Sequence, residues 1–170
     1  MKQVYLLYMK KFDYSLFYKE LDLRKHSDLY RVGKGEQGVL LVEPYKGEIL
    51  PFWKFKTPKD AKKSSQIIYK MFIEYLKQDD FVGADMARKF IQMGWTRSRR
   101  YANHKSGKKY KGPVPLDKKG QSGSHGRHIL PLEIDKEKAE SAAIFKKVLD
   151  KVNLHKKYNK MKIEWRSLLG

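Results

Sequence analysis

The middle of this chain combines dense positive charge with glycines that interrupt helices and strands. Residues 97–127 contain ten Lys and Arg side chains but a single acid, Asp117, which gives a net charge of +9 out of the formal +19 of the 170-residue chain. Like charges at this density repel one another, so we expect a partner of opposite charge to compensate them. The usual partner is a polyanion, most commonly nucleic acid. The ten bases are Arg97, Arg99, Arg100, Lys105, Lys108, Lys109, Lys111, Lys118, Lys119 and Arg127.

Composition limits the class of protein. Hydrophobic residues make up 41% and charged residues 34% of the chain, which is too apolar for a fully disordered protein. We therefore expect a single domain over residues 1–170, in which residues 103–130 form a flexible basic loop rich in Gly and Lys. The absence of cysteine excludes disulfides and thiolate metal sites. The lack of cysteine also fits a reducing cytoplasm. No apolar run reaches the ~20 residues that span a bilayer, so we expect no membrane partner.

Three apolar runs in the first third of the chain predict strands. They are Val4–Met9, Val39–Val42 and Ile49–Phe55, and the last two flank a turn-forming stretch that contains Pro and Gly. Two such runs joined by a turn predict a β-hairpin. Pro51 lies inside the third run, which favours an edge position or a bulge.

Three later segments begin with a capping residue and carry apolar residues at helical spacing. We predict helices over residues 58–78, 80–93 and 136–152, and a last helical stretch from about residue 153. Gly94 is expected to end the second of these helices, and Thr96 to cap a separate short helix that follows it. The whole pattern predicts an α+β fold, in which a small N-terminal antiparallel sheet or hairpin packs on three to five helices.

Six short motifs follow one another along the first two thirds of the chain. They are Arg31–Leu40, Glu43–Lys46, Glu48–Pro51, Asp80–Gly83, Asp85–Phe90 and Thr96–His104. In this order they resemble an uncharacterised domain family of unknown function that is found in bacteria, fungi and tailed phages. The resemblance covers roughly residues 12–111, with a weaker similarity around residues 137–145. It implies a cytoplasmic location, but no activity, cofactor or catalytic residue.

The segment Gly33–Gly38 has the spacing G-x-G-x-x-G. In dinucleotide-binding folds such glycines open a helix, whereas here they precede a predicted strand, and no kinase signature follows. We favour a tight turn in which the glycines supply positive φ angles. A phosphate held by the backbone N–H groups of this loop, beside Arg31 and Lys34, is the alternative.

Glu36, Asp85 and His104 are the candidate catalytic residues. A Glu and Asp pair could bind Mg²⁺ for phosphodiester cleavage or activate water, but we favour a turn acid and a helix-start acid that complements the helix dipole. His104 is either a general acid or base or a phosphate contact. We expect no metal site and no cofactor, with Mg²⁺ needed only if the protein is a nuclease.

The residues after Gly94 carry a cationic helix face. Arg97, Arg100 and Tyr101 are spaced at i, i+3 and i+4, and the absence of nearby acids favours contact with phosphates. The full set of predicted nucleic-acid contacts is Arg31, Lys34, Arg88, Arg97, Arg99, Arg100, Tyr101, Asn103, Lys105, Lys108 and Lys109.

These observations favour a nucleic-acid-binding protein whose ligand is DNA or RNA. One alternative is an enzyme on nucleic acid, either a nuclease or a base-excising glycosylase, that uses Glu36, Asp85 and His104. The other is an interaction factor whose basic face docks on an acidic protein partner.

Overall fold

The computed structural model describes residues 11–121 and 123–169, and α-helices form most of its regular structure. Short 3₁₀ turns occur at Tyr18–Glu20, Ser27–Leu29, Leu50–Phe52 and Leu116–Lys118. None of the helices in this part of the chain is long and apolar enough to cross a membrane. The α-helices are α1 (Tyr45–Ile49), α2 (Pro58–Lys77), α3 (Phe81–Asn103), α4 (Lys136–Asn153) and α5 (Lys156–Leu169).

The starts of the three longest helices agree with the sequence prediction. The side chains of Thr57, Asp80 and Asp135 each accept a hydrogen bond from a backbone N–H three residues later, at 3.1, 2.9 and 3.2 Å. A side-chain cap of this kind typically contributes about 1 kcal/mol, because it satisfies a backbone donor that the helix leaves unpaired. The predicted N-terminal boundaries of α2, α3 and α4 are thus confirmed.

The α+β prediction is wrong for the residues that the structure describes, which form no strand, sheet or hairpin. Val39–Val42 lies in a series of turns, and the run predicted over Ile49–Phe55 contains the end of α1 and a 3₁₀ turn that includes Pro51. A single antiparallel bridge pairs residues 110 and 129 within the basic loop. The strand predicted over Val4–Met9 falls outside the described residues.

The spacing of the buried side chains explains why these runs do not form strands. Val39, Val42, Tyr45 and Ile49 are buried, whereas Leu40 and Leu41 between them are partly exposed. Buried positions three or four residues apart match helices and successive turns, and a strand would alternate its faces every second residue. A short apolar run does not reveal this difference by itself.

The long helix α3 occupies the centre of the fold and packs against α2 and α4. It continues through Gly94 to Asn103, so the predicted helix end at Gly94 and the separate helix from Thr96 are wrong. A Cβ atom at residue 94 would overlap the ring of Phe145, which belongs to α4. Glycine is therefore needed here because the two helices approach closely, and not because the helix ends.

The basic loop begins and ends beside the C-terminus of α3. The backbone N–H of Glu133 donates to the carbonyl of Asn103 at 2.7 Å, which ties the returning chain to the helix end. Within the loop, Leu130 donates to the carbonyl of Lys109 at 2.8 Å. The loop therefore folds back on itself next to the last turn of α3.

Candidate functional site

A cluster of charged side chains lies in the interior, on the first half of α3. Asp85 and Lys89 are fully buried and Arg88 is 5% exposed. The Asp85 carboxylate accepts hydrogen bonds from Arg88 Nε at 2.9 Å, from the Tyr158 hydroxyl at 2.6 Å and from the Tyr30 hydroxyl. The Lys89 ammonium lies 3.9 Å from the same carboxylate. Asp85 is thus surrounded by donors inside the protein.

The partners of this cluster determine its ionisation. Burial opposes the charged form of Asp85, but the adjacent Arg88 and Lys89 cations hold the pKa of this carboxyl well below its usual range. Burial lowers the pKa of Lys89 to about 7, although the Asp85 carboxylate opposes the shift. Asp85, a candidate catalytic acid in the sequence, therefore lies away from solvent as a paired carboxylate.

The same two cations hold the Gly-rich loop against α3. Arg88 Nη1 donates to the carbonyl of Gly35 at 3.0 Å, and Lys89 Nζ donates to the carbonyl of Gln37 at 2.6 Å. Arg88, a predicted phosphate contact, is therefore engaged in the interior. The loop is attached to the core by charge-assisted hydrogen bonds, which are stronger than neutral ones.

The three glycines of this loop adopt left-handed conformations. Gly33, Gly35 and Gly38 have φ angles of 67°, 61° and 78°, as the tight-turn interpretation predicts. A Cβ atom at residue 38 would also overlap the ring of Phe12, which packs inside the turn. Both the backbone conformation and the close approach of the ring require glycine at this position.

Glu36 projects from the loop toward the second half of α3. Its carboxylate accepts a hydrogen bond from the Thr96 hydroxyl at 2.8 Å. Burial raises the pKa of Glu36 above its ordinary value, although the Thr96 hydrogen bond and the nearby Arg97 and Arg100 guanidiniums oppose the shift. Glu36 is thus a partly desolvated carboxyl among cations.

An open groove of about 230 Å³ runs along this half of α3, beside Glu36. Its helical lining residues recur in pairs one turn apart, so they form one face of α3. No acidic side chain belongs to the lining. The lining residues are Trp95, Thr96, Arg99, Arg100, Asn103, His104 and Lys109.

Among the described residues, no acid forms an ion pair with the cations around the groove, and Glu36 is the acid that lies near them. The eight ion pairs between described residues involve cations outside residues 97–127, such as Arg24, Lys77 and Lys157. Arg99 and Lys109 are exposed and Arg100 is half-buried. The charge of this segment is therefore not neutralised by salt bridges within the described protein.

His104 and Tyr101 are held by contacts at the helix end. His104 Nδ1 lies 3.1 Å from the carbonyl of Pro131, so Nδ1 carries the proton in this contact and Nε2 is the acceptor of the neutral ring. The Tyr101 ring packs against Phe55 and against the turn at Gly107, where a Cβ atom would overlap it. Tyr101 therefore lies beside the groove lining and is not part of it.

The remaining predicted contacts lie outside the groove lining. Arg31 Nη1 donates to the carbonyl of Asp28 at 2.5 Å, which ties this guanidinium to its own loop. Lys34, Lys105 and Lys108 are exposed. The structure thus brings together Arg99, Arg100, Asn103, His104 and Lys109 from the predicted set, with Glu36 and Arg97 close by.

A family model described as a Domain of unknown function (DUF4385) matches residues 13–168. The chain belongs to this family. No curated protein and no solved structure matches it. The match confirms the resemblance to an uncharacterised domain family, and it extends beyond the predicted block of residues 12–111. The basic loop and α4 are therefore part of the DUF4385 domain.

The described residues of this DUF4385 domain contain no group of three or more His, Asp or Glu side chains that could hold a metal ion.

Trp95 and Thr96 are the two groove residues that sequence reasoning missed. Each precedes an arginine of the groove by four positions, which is the spacing of neighbours on a helix face. The wrongly predicted helix end at Gly94 and cap at Thr96 hid this relation, because they placed Trp95 and Thr96 outside the helix that carries the two arginines.

Proposed function

We propose that this protein binds nucleic acid through the groove on the second half of α3 and the basic loop that follows. The observation that carries the proposal is the groove lining, in which Arg99, Arg100 and Lys109 converge and form no ion pair with the described residues. Unpaired cations on one face attract a polyanion, because phosphates supply the missing counter-charge and release their bound counterions.

The size of the groove favours a polymer segment over a complete small-molecule ligand. Pockets for drug-sized ligands and cofactors usually measure about 300–1,000 Å³, whereas this groove measures about 230 Å³ and is open. A space of this size suits one nucleotide unit of a longer strand. The exposed Lys105 and Lys108 extend the cationic surface beyond the groove, so that flanking phosphates also find partners.

The contacts divide into two kinds. Arg99, Arg100 and Lys109 contact phosphates, since guanidinium and ammonium groups donate to phosphate oxygens. Asn103 is the residue suited to a base edge, because an amide offers both a donor and an acceptor.

The proposal includes a cytoplasmic location and the occurrence of the family in bacteria, fungi and tailed phages.

The test is the binding of labelled DNA and RNA, single- and double-stranded, at ~50 and ~200 mM salt. Replacing Arg99 and Arg100 together by Ala should weaken binding about tenfold or more and lower the slope of log affinity against log salt by about 1.5, since each phosphate contact contributes about 0.7–0.9. No binding by the unchanged protein to any of the four ligands would overturn the proposal.

The matched control removes two cations elsewhere. Lys156 and Lys160 are exposed on α5, which packs beside the first half of α3 through Tyr158 and Phe81. Replacing both by Ala removes the same charge as the groove variant but should change affinity only slightly. Equal losses in the two variants would mean that overall charge, and not the groove, determines binding.

Catalysis on nucleic acid is the second candidate, and one observation favours it. Glu36 has a raised pKa and is hydrogen-bonded to Thr96, which lines the groove together with His104. A nuclease or a base-excising glycosylase would use Glu36 as an acid or base, with His104 Nε2 as a second proton acceptor. Asp85 would not touch the ligand. It would contribute only by holding Arg88, which in turn holds the loop that carries Glu36.

Strand cleavage or abasic product in the binding assay would identify the catalytic alternative. Glu36→Gln should then abolish turnover while it retains binding. A third possibility, an acidic protein partner, predicts instead that partner binding survives treatment with nucleases, since no nucleic acid would bridge the two proteins.

A further inference from the structure

Trp95 differs from the other two tryptophans of this protein. Trp53 packs 6.4 Å from the ring of Phe90, and Trp165 packs 5.0 Å from the ring of Phe81. Among the described residues, no other aromatic ring packs against Trp95, which is half-buried and lines the groove. Trp95 packs against the hydrophobic core with part of its surface, and the part that lines the groove is accessible to a ligand.

Trp95 also has cationic neighbours. The Lys146 ammonium lies 4.9 Å from the centre of the indole ring and is itself paired with Asp150 at 2.5 Å. Arg99 follows Trp95 by four residues, and Asn103 follows Arg99 by four, so that ring, guanidinium and amide succeed one another along one face of α3. Each step is about 6 Å along the helix axis.

We infer that the groove binds an unpaired base stacked on Trp95, so that the ligand is single-stranded rather than double-stranded nucleic acid. This inference rests on the proposed function. Lys146 lies over the indole ring, and the base stacks on the part of the ring that faces the groove. The phosphate of the same or the adjacent nucleotide then lies beside Arg99, one helical turn away.

The physical reason lies in what a duplex exposes. In a double helix the faces of the bases are stacked on each other, and only their edges and the phosphates are accessible. An aromatic side chain in a positively charged groove can use its ring fully only when bases are free to stack. Base–aromatic stacking also tolerates any sequence, because every base has a π-face.

The experiment compares three ligands whose strands have equal length and charge. They are a single strand, the duplex that contains it, and a strand in which every base is replaced by an abasic site. DNA and RNA versions of the first two identify the sugar. The unchanged protein should bind the single strand most tightly. Comparable affinity for the normal and the abasic strand would overturn the inference, because phosphates alone would then explain binding.

Trp95→Leu removes the ring but keeps an apolar side chain that suits a helix. It should weaken single-strand binding by about 5- to 150-fold, the range of alanine substitution at stacked bases. Affinity for the duplex and for the abasic strand should stay within about twofold. Trp95→Phe should restore much of the loss, because it restores a ring. Circular dichroism and urea unfolding of both variants confirm that they are folded.

Tryptophan fluorescence supplies a second readout. Saturation with a single strand should quench the emission of the unchanged protein, and this change should be absent in Trp95→Leu, since Trp53 and Trp165 contact core rings.

The failures of the two ideas can be distinguished. If Trp95→Leu binds the single strand as the unchanged protein does, stacking is excluded while the proposed function stands. If the unchanged protein binds none of the ligands at ~50 mM salt, both the inference and the proposed function fail.

Discussion

The two halves of α3 use charged side chains in opposite ways. In the first half, Asp85, Arg88 and Lys89 are buried and bonded to one another and to the Gly-rich loop. In the second half, Arg99 and Arg100 line an open groove and form no ion pair with the described residues. One helix therefore carries cations that stabilise the fold and cations that remain available for a ligand.

The difference depends on a single acid and on what surrounds it. Asp85 precedes Arg88 and Lys89 by three and four residues, so a helix brings all three together. Two tyrosine hydroxyls, from Tyr30 and Tyr158, complete the bonds of the carboxylate. The groove has no equivalent acid in its lining, since the Glu36 carboxylate is hydrogen-bonded to Thr96 at the edge and acts on Arg100 only at longer range. Paired buried charges indicate a structural role, whereas the converging cations without ion pairs are the feature on which the proposed binding function rests.

The largest effect is expected from Asp85→Asn, which leaves Arg88 and Lys89 buried without a counter-charge. Removing one member of a buried ion pair typically costs about 3–5 kcal/mol in the free energy of unfolding. Glu74→Gln is the control, because Glu74 also forms an i,i+3 ion pair, with Lys77 at 2.8 Å, but is exposed. It should cost less than about 1 kcal/mol. Urea unfolding measures the loss of unfolding free energy in both variants. Similar small losses in the two would contradict the structural role of the cluster.

A smaller effect is expected from pH. Lys89 has a folded-state pKa of about 7 and an ordinary value of 10.5, so between these values the unfolded chain binds more protons than the folded one. The free energy of unfolding should therefore rise from pH 7 to pH 9.5, by an amount on the order of a few kcal/mol. Asp85, Arg88, Lys162 and Arg166 are the charged groups that act on Lys89.

This pH test stops at pH 9.5 for a physical reason. The raised pKa values of Tyr30 and Tyr158 act in the opposite direction at higher pH, since the folded state then retains protons that the unfolded chain loses. Urea unfolding at three pH values measures the trend. Lys89→Met should flatten it, and an equally steep rise in that variant would assign the effect to other groups.

The smallest effect concerns the edge of the groove. Glu36→Gln removes a negative charge beside Arg97 and Arg100, so nucleic-acid affinity should rise about two- to fivefold at pH 8. Because burial raises the pKa of Glu36, acid conditions protonate the native side chain more readily than an ordinary Glu, so the difference between variant and native protein should be smaller at pH 5 than at pH 8. Anisotropy titrations at both pH values measure this, with Glu74→Gln as the control. Weaker binding by the Gln variant would show that Glu36 supports the groove structurally.

Local signals explain what could be predicted of this fold. Thr57, Asp80 and Asp135 are caps whose hydrogen bonds span three residues, so their helices could be located from nearby sequence. The end of α3 could not be located in this way. Glycine commonly follows a helix end, but Gly94 lies within α3 and allows its close contact with Phe145 of α4. The hairpin prediction failed because a short apolar run around Val39 fits a strand and a series of turns equally well.

Charge and spacing alone determined that the second half of α3 is cationic and that Arg99, Arg100 and Asn103 share a region of the chain. Only the tertiary structure decided which charges are internal, because Asp85 finds its tyrosine partners 55 residues before and 73 residues after it. It likewise decided that Trp95 joins the groove, since that depends on α3 continuing unbroken past Gly94. Burial and pairing are properties of distant segments brought together, and no local pattern encodes them.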